Sequence, residues 1–248
     1  PRGLRFKPLH GIVYPPSEPL PPDYGTPDES YSLAHVHGAG GKHARGSVVS
    51  TGDGGAVYFA GAVAVVRRPE GPADDAPQQR FFRGHDAQIT AIAVHPDGRT
   101  IATAQGGRRP SACVWDSHTG QELSRTPVYH ENGICCLAFS AEGHHLMTVG
   151  EDKFHSVAVW AWQGLHKERA AAASLEKPGW SVTPTATPHK AVPRMVASAR
   201  GPQAEVLACC AGGRETALVK KDNEGMRSCS FVTCGVKHLK VWTLEQPP

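Results

Sequence analysis

Apolar residues recur along this chain at the period of a strand, in runs of four to seven that are cut short by turn residues. ITAIAVH (residues 89–95), TIATA (100–104) and ACVWD (112–116) each predict a strand, and Pro96-Asp97-Gly98 predicts the turn between the first two, with Pro fixing φ and Gly accepting φ > 0. The same order returns downstream: strands over 134–140, 146–150 and 156–162, with Ala141-Glu142-Gly143 as the turn. Upstream, strands are expected over 33–37, 47–50 and 56–67, the last broken at Gly61, with Thr51-Gly52-Asp53-Gly54-Gly55 as a hairpin turn. Towards the C-terminus four more are expected, near 195–199, 205–210, 231–234 and 238–242, and the pattern alone does not assign the first two to a repeat.

The spacing makes these strands a repeat. Gly84-His85 opens the first set and Trp115-Asp116 closes it; 30 residues separate His85 from Trp115 and again His130 from Trp160, while 45 separate the two tryptophans. A Gly-His start, a Trp-Asp finish and a period of about 40–45 residues are the signature of WD40 repeats. The expected fold is therefore all-β, a WD40 β-propeller. Counting the strand sets gives about four blades of a larger propeller, so an open arc is expected. In the second repeat Tyr129 replaces the Gly and Ala161 the Asp, an erosion that a packing role tolerates and a catalytic role does not. Between Trp160 and the next such residue, Trp242, lie 82 residues, which places an insertion around 163–228; a helical turn over 169–175 is expected within it.

Composition narrows the function. With 26 Lys and Arg against 23 Asp and Glu among 248 residues, the net charge of +3 does not point to nucleic acid, and no apolar run approaches the roughly 20 residues that span a bilayer. The chain begins with Pro1, and an internal piece of a longer protein is expected. Residues 1–32 hold 8 of the 21 prolines and predict an extended, irregular arm; residues 70–79 predict a solvated loop. The seven cysteines form no CxxC, so reduced strand cysteines of an intracellular protein are expected and no zinc site. His35 and His37 would share a strand face but have no acidic or Cys partner, and no metal is expected. GAGGK at 38–42 lacks the leading Gly and the following Ser or Thr of a phosphate loop, so neither nucleotide nor any other cofactor is expected. No nucleophile elbow, carboxylate pair or nucleophile with a base and orienter is recognisable, so no enzyme and no small-molecule substrate are expected.

A family resemblance sharpens this. A Pro-rich lead, then LAHVHGxxGKxxR, then GGAVYFAGAVAVV, then RFFRGHDAQITAIAVHPDGRTIATAQ and VWDS, resembles the HELP motif and first WD repeats of the echinoderm microtubule-associated protein-like family, and FVTCGVKHLKVWTL at 231–244 resumes the likeness. His35 and His37 depart from it, standing where the family tends to have aromatic residues. The resemblance implies an arm over 1–32, HELP strands and connection over 33–83, and WD40 repeats over 84–248. It also implies a hydrogen-bond network in which a Gly-His histidine connects through a turn acid and a hydroxyl to the strand tryptophan; His85, Asp97, Trp115, Asp116, Trp160 and Trp242 are the structural WD residues. Asp97 also fits a role confined to its own Pro-Asp-Gly turn. For function it implies a cytoskeletal protein of the cytoplasm, binding tubulin or the microtubule lattice, with the ciliary or flagellar axoneme as one setting; the alternative is a WD40 adaptor for another protein. Because tubulin presents an acidic outer surface, Lys42, Arg45, Arg67, Arg68, Arg108 and Arg109 are the candidate contact residues.

Overall fold

The computed structural model describes residues 46–68, 78–163, 191–212 and 227–246, with 29–39 and short pieces at 4–5, 12–14, 17–18 and 25 before them. The chain divides into two units, 1–34 and 35–248. In the first, β1 (Leu4–Arg5) pairs antiparallel with β2 (Ile12–Val13), so the expected irregular arm contains a short ladder.

The second unit is built from four antiparallel sheets, each formed by consecutive strands. The first joins β3 (Val48–Ser50), β4 (Ala56–Ala60), β5 (Val63–Arg67) and β6 (Gln79–Phe82). The second joins β7 (Ile89–Val94), β8 (Thr100–Gln105), β9 (Ala112–Asp116) and β10 (Glu122–Arg125). The third joins β11 (Ile134–Phe139), β12 (His145–Gly150), β13 (Val157–Ala161) and β14 (Arg194–Ala199), and the fourth β15 (Val206–Ala211), β16 (Arg227–Gly235) and β17 (His238–Gln246).

These are propeller blades packed face to face, and that explains the sequence pattern. All six residues of β8 and of β12 are buried, because an inner blade is covered on both faces and its strands have no solvent side to carry polar residues. In β8, Ile101 packs toward the first blade with Trp115, Phe59 and Phe82, while Ala102 and Ala104 pack toward the third with Leu137, Phe139 and Trp162. Small residues on one face of a blade thus meet large ones on its neighbour, which is how two pleated surfaces fill the space between them. A third cluster joins Met147, Val149 and Val157 to Val206 and Phe231 of the last blade.

The opening strands β7, β11 and β15 each carry a register shift after their first residue, at Ile89/Ala91, Ile134/Cys136 and Val206/Ala208. The turns also interlock. Gly98 closes the Pro-Asp-Gly turn at φ +71°, donates from its N–H to His95 O at 2.9 Å and accepts from Gly52 N at 2.8 Å; a Cβ there would stand 2.8 Å from Gly52 Cα.

Several expectations are corrected. No strand covers 33–37; that segment is irregular, and Val36 N donates to Gln79 Oε1 at 2.8 Å. Gln79, assigned to a solvated loop, is buried in β6. Phe81 and Phe82 lie in β6, the outer strand of the blade before Gly84. Outer strands β6, β10 and β14 were not anticipated as a class, and β14 closes the third blade while β15 opens the fourth. The helical turn expected at 169–175 lies outside the described residues.

Candidate functional site

Two polar chains run through the blades. Trp115 Nε1 donates to Thr103 Oγ1 at 3.0 Å, and Thr103 Oγ1 lies 2.8 Å from His85 Nε2. His85 Nδ1 lies 2.8 Å from Gln105 Oε1, which only accepts, so Nδ1 carries the proton, Nε2 accepts, and the Thr103 hydroxyl donates to it. Gln105 Nε2 then donates to Asp86 Oδ1 at 2.5 Å. In the next blade Trp160 Nε1 donates to Thr148 Oγ1 at 3.0 Å, Thr148 meets His130 Nε2 at 2.7 Å, His130 Nδ1 donates to Ser156 Oγ at 2.8 Å, and Ser156 donates to Asp152 Oδ2 at 2.5 Å. Both imidazoles are therefore the same neutral tautomer. Burial holds the pKa of each down at about 4.

The turn acid of the expected network is Asp152, with Ser156 interposed, in the third blade, and Gln105 takes the acid's place in the second. Asp97 lies at the other end of its blade, in its own turn. Its carboxylate accepts from Arg99 N, Thr100 N and Thr100 Oγ1 at 2.7–2.8 Å; burial pulls its pKa up, but these bonds outweigh it and bring it to about 2. Asp116 accepts from His118 N at 2.8 Å and pairs with Arg99 at 2.6 Å. Trp242 donates to Thr233 Oγ1 at 2.9 Å. The threonines were missed, although each stands 18 residues after its histidine and 12 before its tryptophan, a spacing that was open to inspection.

The candidate contact residues are not brought together. Arg67 ends β5 and Arg68 follows it, at the end of the blade where Arg67 pairs with Gln79, beside the 51–55 turn. Arg108 and Arg109 precede β9 at the opposite end, in the loop where Gly107 N donates to Asn132 O at 2.8 Å. All four are exposed. The two pairs therefore stand at opposite ends of the strands. Lys42 and Arg45 lie outside the described residues.

At the Arg109 end of the third blade an open cleft of about 710 Å³ lies between the loop 151–156 and the chain after β14. Tyr129, Phe154, Ser198 and Arg200 line it, with Lys153 and Glu131 at its rim. Among the described residues no group of three or more His, Cys, Asp or Glu side chains is placed to hold a metal ion, and all seven cysteines are free thiols.

Known proteins share these features. The family model for the WD domain, G-beta repeat, matches residues 76–116 and 121–154. Echinoderm microtubule-associated protein-like 3 of Homo sapiens is 34% identical over 175 residues, 63% of this chain and 19% of that protein. Echinoderm microtubule-associated protein-like 1 of Rattus norvegicus is 27% identical over 88% of this chain and 23% of its own length, and the 77 kDa echinoderm microtubule-associated protein of Strongylocentrotus purpuratus 33% identical over 55% and 21%. The chain thus spans about a fifth to a quarter of these relatives. Among solved structures, the RRP9 WD40 repeats align at a TM-score of 0.50 and 18% identity over 80% of this chain and 49% of that one, and a chain of the mitotic checkpoint complex at 0.52 and 13% over 80% and 48%. Paired blades, His–Thr–Trp chains and these relatives agree: the chain carries WD40 repeats and is similar to the echinoderm microtubule-associated protein-like proteins.

Proposed function

We propose that this chain is a non-enzymatic interaction module of the cytoskeleton, part of a microtubule-associated protein that binds tubulin or the microtubule lattice in the cytoplasm, the axoneme of a cilium or flagellum being one setting. The observation that carries this reading is the kinship with microtubule-associated proteins over 63–88% of the chain. The polar groups of the interior support a scaffold role: His85, Thr103, His130, Thr148 and Ser156 spend their hydrogen bonds on one another and on the tryptophans, which leaves the loops at the blade ends to meet a partner.

A second reading, an adaptor for a partner other than tubulin, is favoured by the separation of Arg67 and Arg68 from Arg108 and Arg109, since no single basic face holds both pairs against one acidic surface. Co-sedimentation with polymerised tubulin separates the two. The chain is expected to pellet with microtubules at low salt; a folded chain that stays in the supernatant there moves the reading to the adaptor.

A further inference from the structure

The cleft beside β14 is built, not incidental. Its floor is the loop 151–156, whose shape is fixed from inside by Asp152: the carboxylate accepts from Phe154 N at 3.0 Å, from Ser156 N at 3.2 Å and from Ser156 Oγ. Its wall is the chain after β14. His155 Nδ1 donates to Pro202 O at 3.2 Å, and Gly201 lies so close that a Cβ on it would stand 2.2 Å from His155 O. Within the loop His155 takes a left-handed backbone at φ +41°, uncommon for a residue other than glycine. Strain of this kind persists where the surrounding structure imposes it, and it clusters at binding sites.

The chemistry of the opening is cationic and aromatic. Lys153 Nζ lies 5.8 Å from the centre of the Phe154 ring and the Arg200 guanidinium 5.2 Å, so one ring gathers two cations. Both are exposed, and among the described residues neither has a carboxylate partner. Asp152 is spent within its own loop. Beside the cations runs β14, the outer strand of its sheet, which among the described residues pairs only with β13 and shows Met195 and Val196 to solvent.

We propose that this cleft docks an extended acidic peptide, its backbone adding to the free edge of β14 and an acidic side chain entering between Lys153 and Arg200. An edge strand offers unpaired N–H and C=O groups in the spacing a second strand needs, while paired cations at its end set the register of a chain that carries carboxylates. The inference deepens the microtubule reading and rests on it only for the source of the peptide, an acidic filament surface.

The test is fluorescence anisotropy of a labelled peptide of alternating Glu and Val against the whole chain, with the Gln and Val peptide as control. Saturable binding of the Glu peptide alone is expected. Lys153→Glu with Arg200→Glu is expected to weaken it about tenfold or more, while Arg67→Glu with Arg68→Glu, at the opposite blade end, leaves it within about twofold. Equal binding of both peptides, or a Lys153/Arg200 variant that binds as well as the parent at unchanged melting temperature, overturns the site. Peptide binding without microtubule co-sedimentation supports the site and removes the tubulin reading; co-sedimentation with unaltered peptide binding by the variant does the reverse.

Discussion

The indole of Trp115 lies flat on the ring of Phe82, centroids 4.7 Å apart and planes within 3°. Trp115 belongs to β9 of the second blade and Phe82 to β6 of the first, so the residue that closes one repeat is also the one that fastens it to the blade before. Stacking, full burial and the hydrogen bond to Thr103 meet in one side chain.

Trp115→Ala is expected to cost about 3–5 kcal/mol, a large share of the roughly 5–15 kcal/mol that holds a domain together, and to appear as lost soluble yield. Trp115→Phe keeps an aromatic face against Phe82 and loses the indole donor, so it is expected to cost less. Equal melting of the Ala variant and the parent, with partner binding lost, refutes the structural role.

Trp115 also shows how far the sequence could be read. Strand period, Pro-Asp-Gly turn and Trp spacing made blades visible because each blade repeats the same local demands. Outer strands β6 and β10 escaped notice because they are partly exposed and carry no fixed marker: RFF before Gly84 reads equally as the lead-in to the next blade, and β14, expected near 195–199, could not be assigned to a blade for the same reason. Gln79 was unreadable for another reason. Its burial depends on Val36, to which it donates from 43 residues away, and nothing in a local pattern reports such a contact. The two ends of a blade, and with them the separation of the arginine pairs, follow from strand direction, which needs the outer strands in place.

The last blade leaves an apolar face uncovered. Leu239 is 73% and Val241 56% exposed on β17, and among the described residues β17 is the edge of a three-stranded sheet. Exposed apolar edge strands pair with other chains, so residues 1–248 alone are expected to form concentration-dependent oligomers in sedimentation velocity. Leu239→Lys with Val241→Lys is expected to shift them toward monomer without lowering the melting temperature. A parent that is monodisperse and monomeric at high concentration contradicts this.

Acid is expected to loosen the blades before it touches the turn carboxylates. His85 and His130 have folded pKa values of about 4 against 6.5 for the free group. Below about pH 6.5 the unfolded chain takes up protons that the folded chain refuses until about pH 4, so the stability is fully present above that window and is lost as pH falls through it, about 3 kcal/mol per histidine. Asp97, brought to about 2 from 3.8, contributes only at lower pH. Denaturant unfolding of the soluble Leu239→Lys, Val241→Lys chain is expected to lose up to about 2.7 kcal/mol per pH unit within the window, and His130→Gln to halve that slope. An unchanged slope in the His130→Gln variant places the titration elsewhere.

Arg67 and Arg68 stand on the order of 20 Å from Arg108 and Arg109, the length of a six-residue strand at about 3.3 Å per residue. At 0.1 M salt the screening length is about 10 Å, so the two pairs act on a partner independently, and one flat acidic surface engages only one of them. Each exposed contact contributes about 0.2–1 kcal/mol, which two arginines double. Microtubule co-sedimentation is therefore expected to weaken as salt rises toward 1 M, where the screening length is about 3 Å. Charge reversal is expected to split the pairs: Arg108→Glu with Arg109→Glu weakens co-sedimentation at fixed salt, because these residues share the blade end of the Lys153 and Arg200 cleft, while Arg67→Glu with Arg68→Glu leaves it unchanged. Equal losses from both double variants require a partner that wraps the blade from end to end. Binding that survives 1 M salt in every variant removes charge from the account and leaves the apolar loop surfaces to explain it.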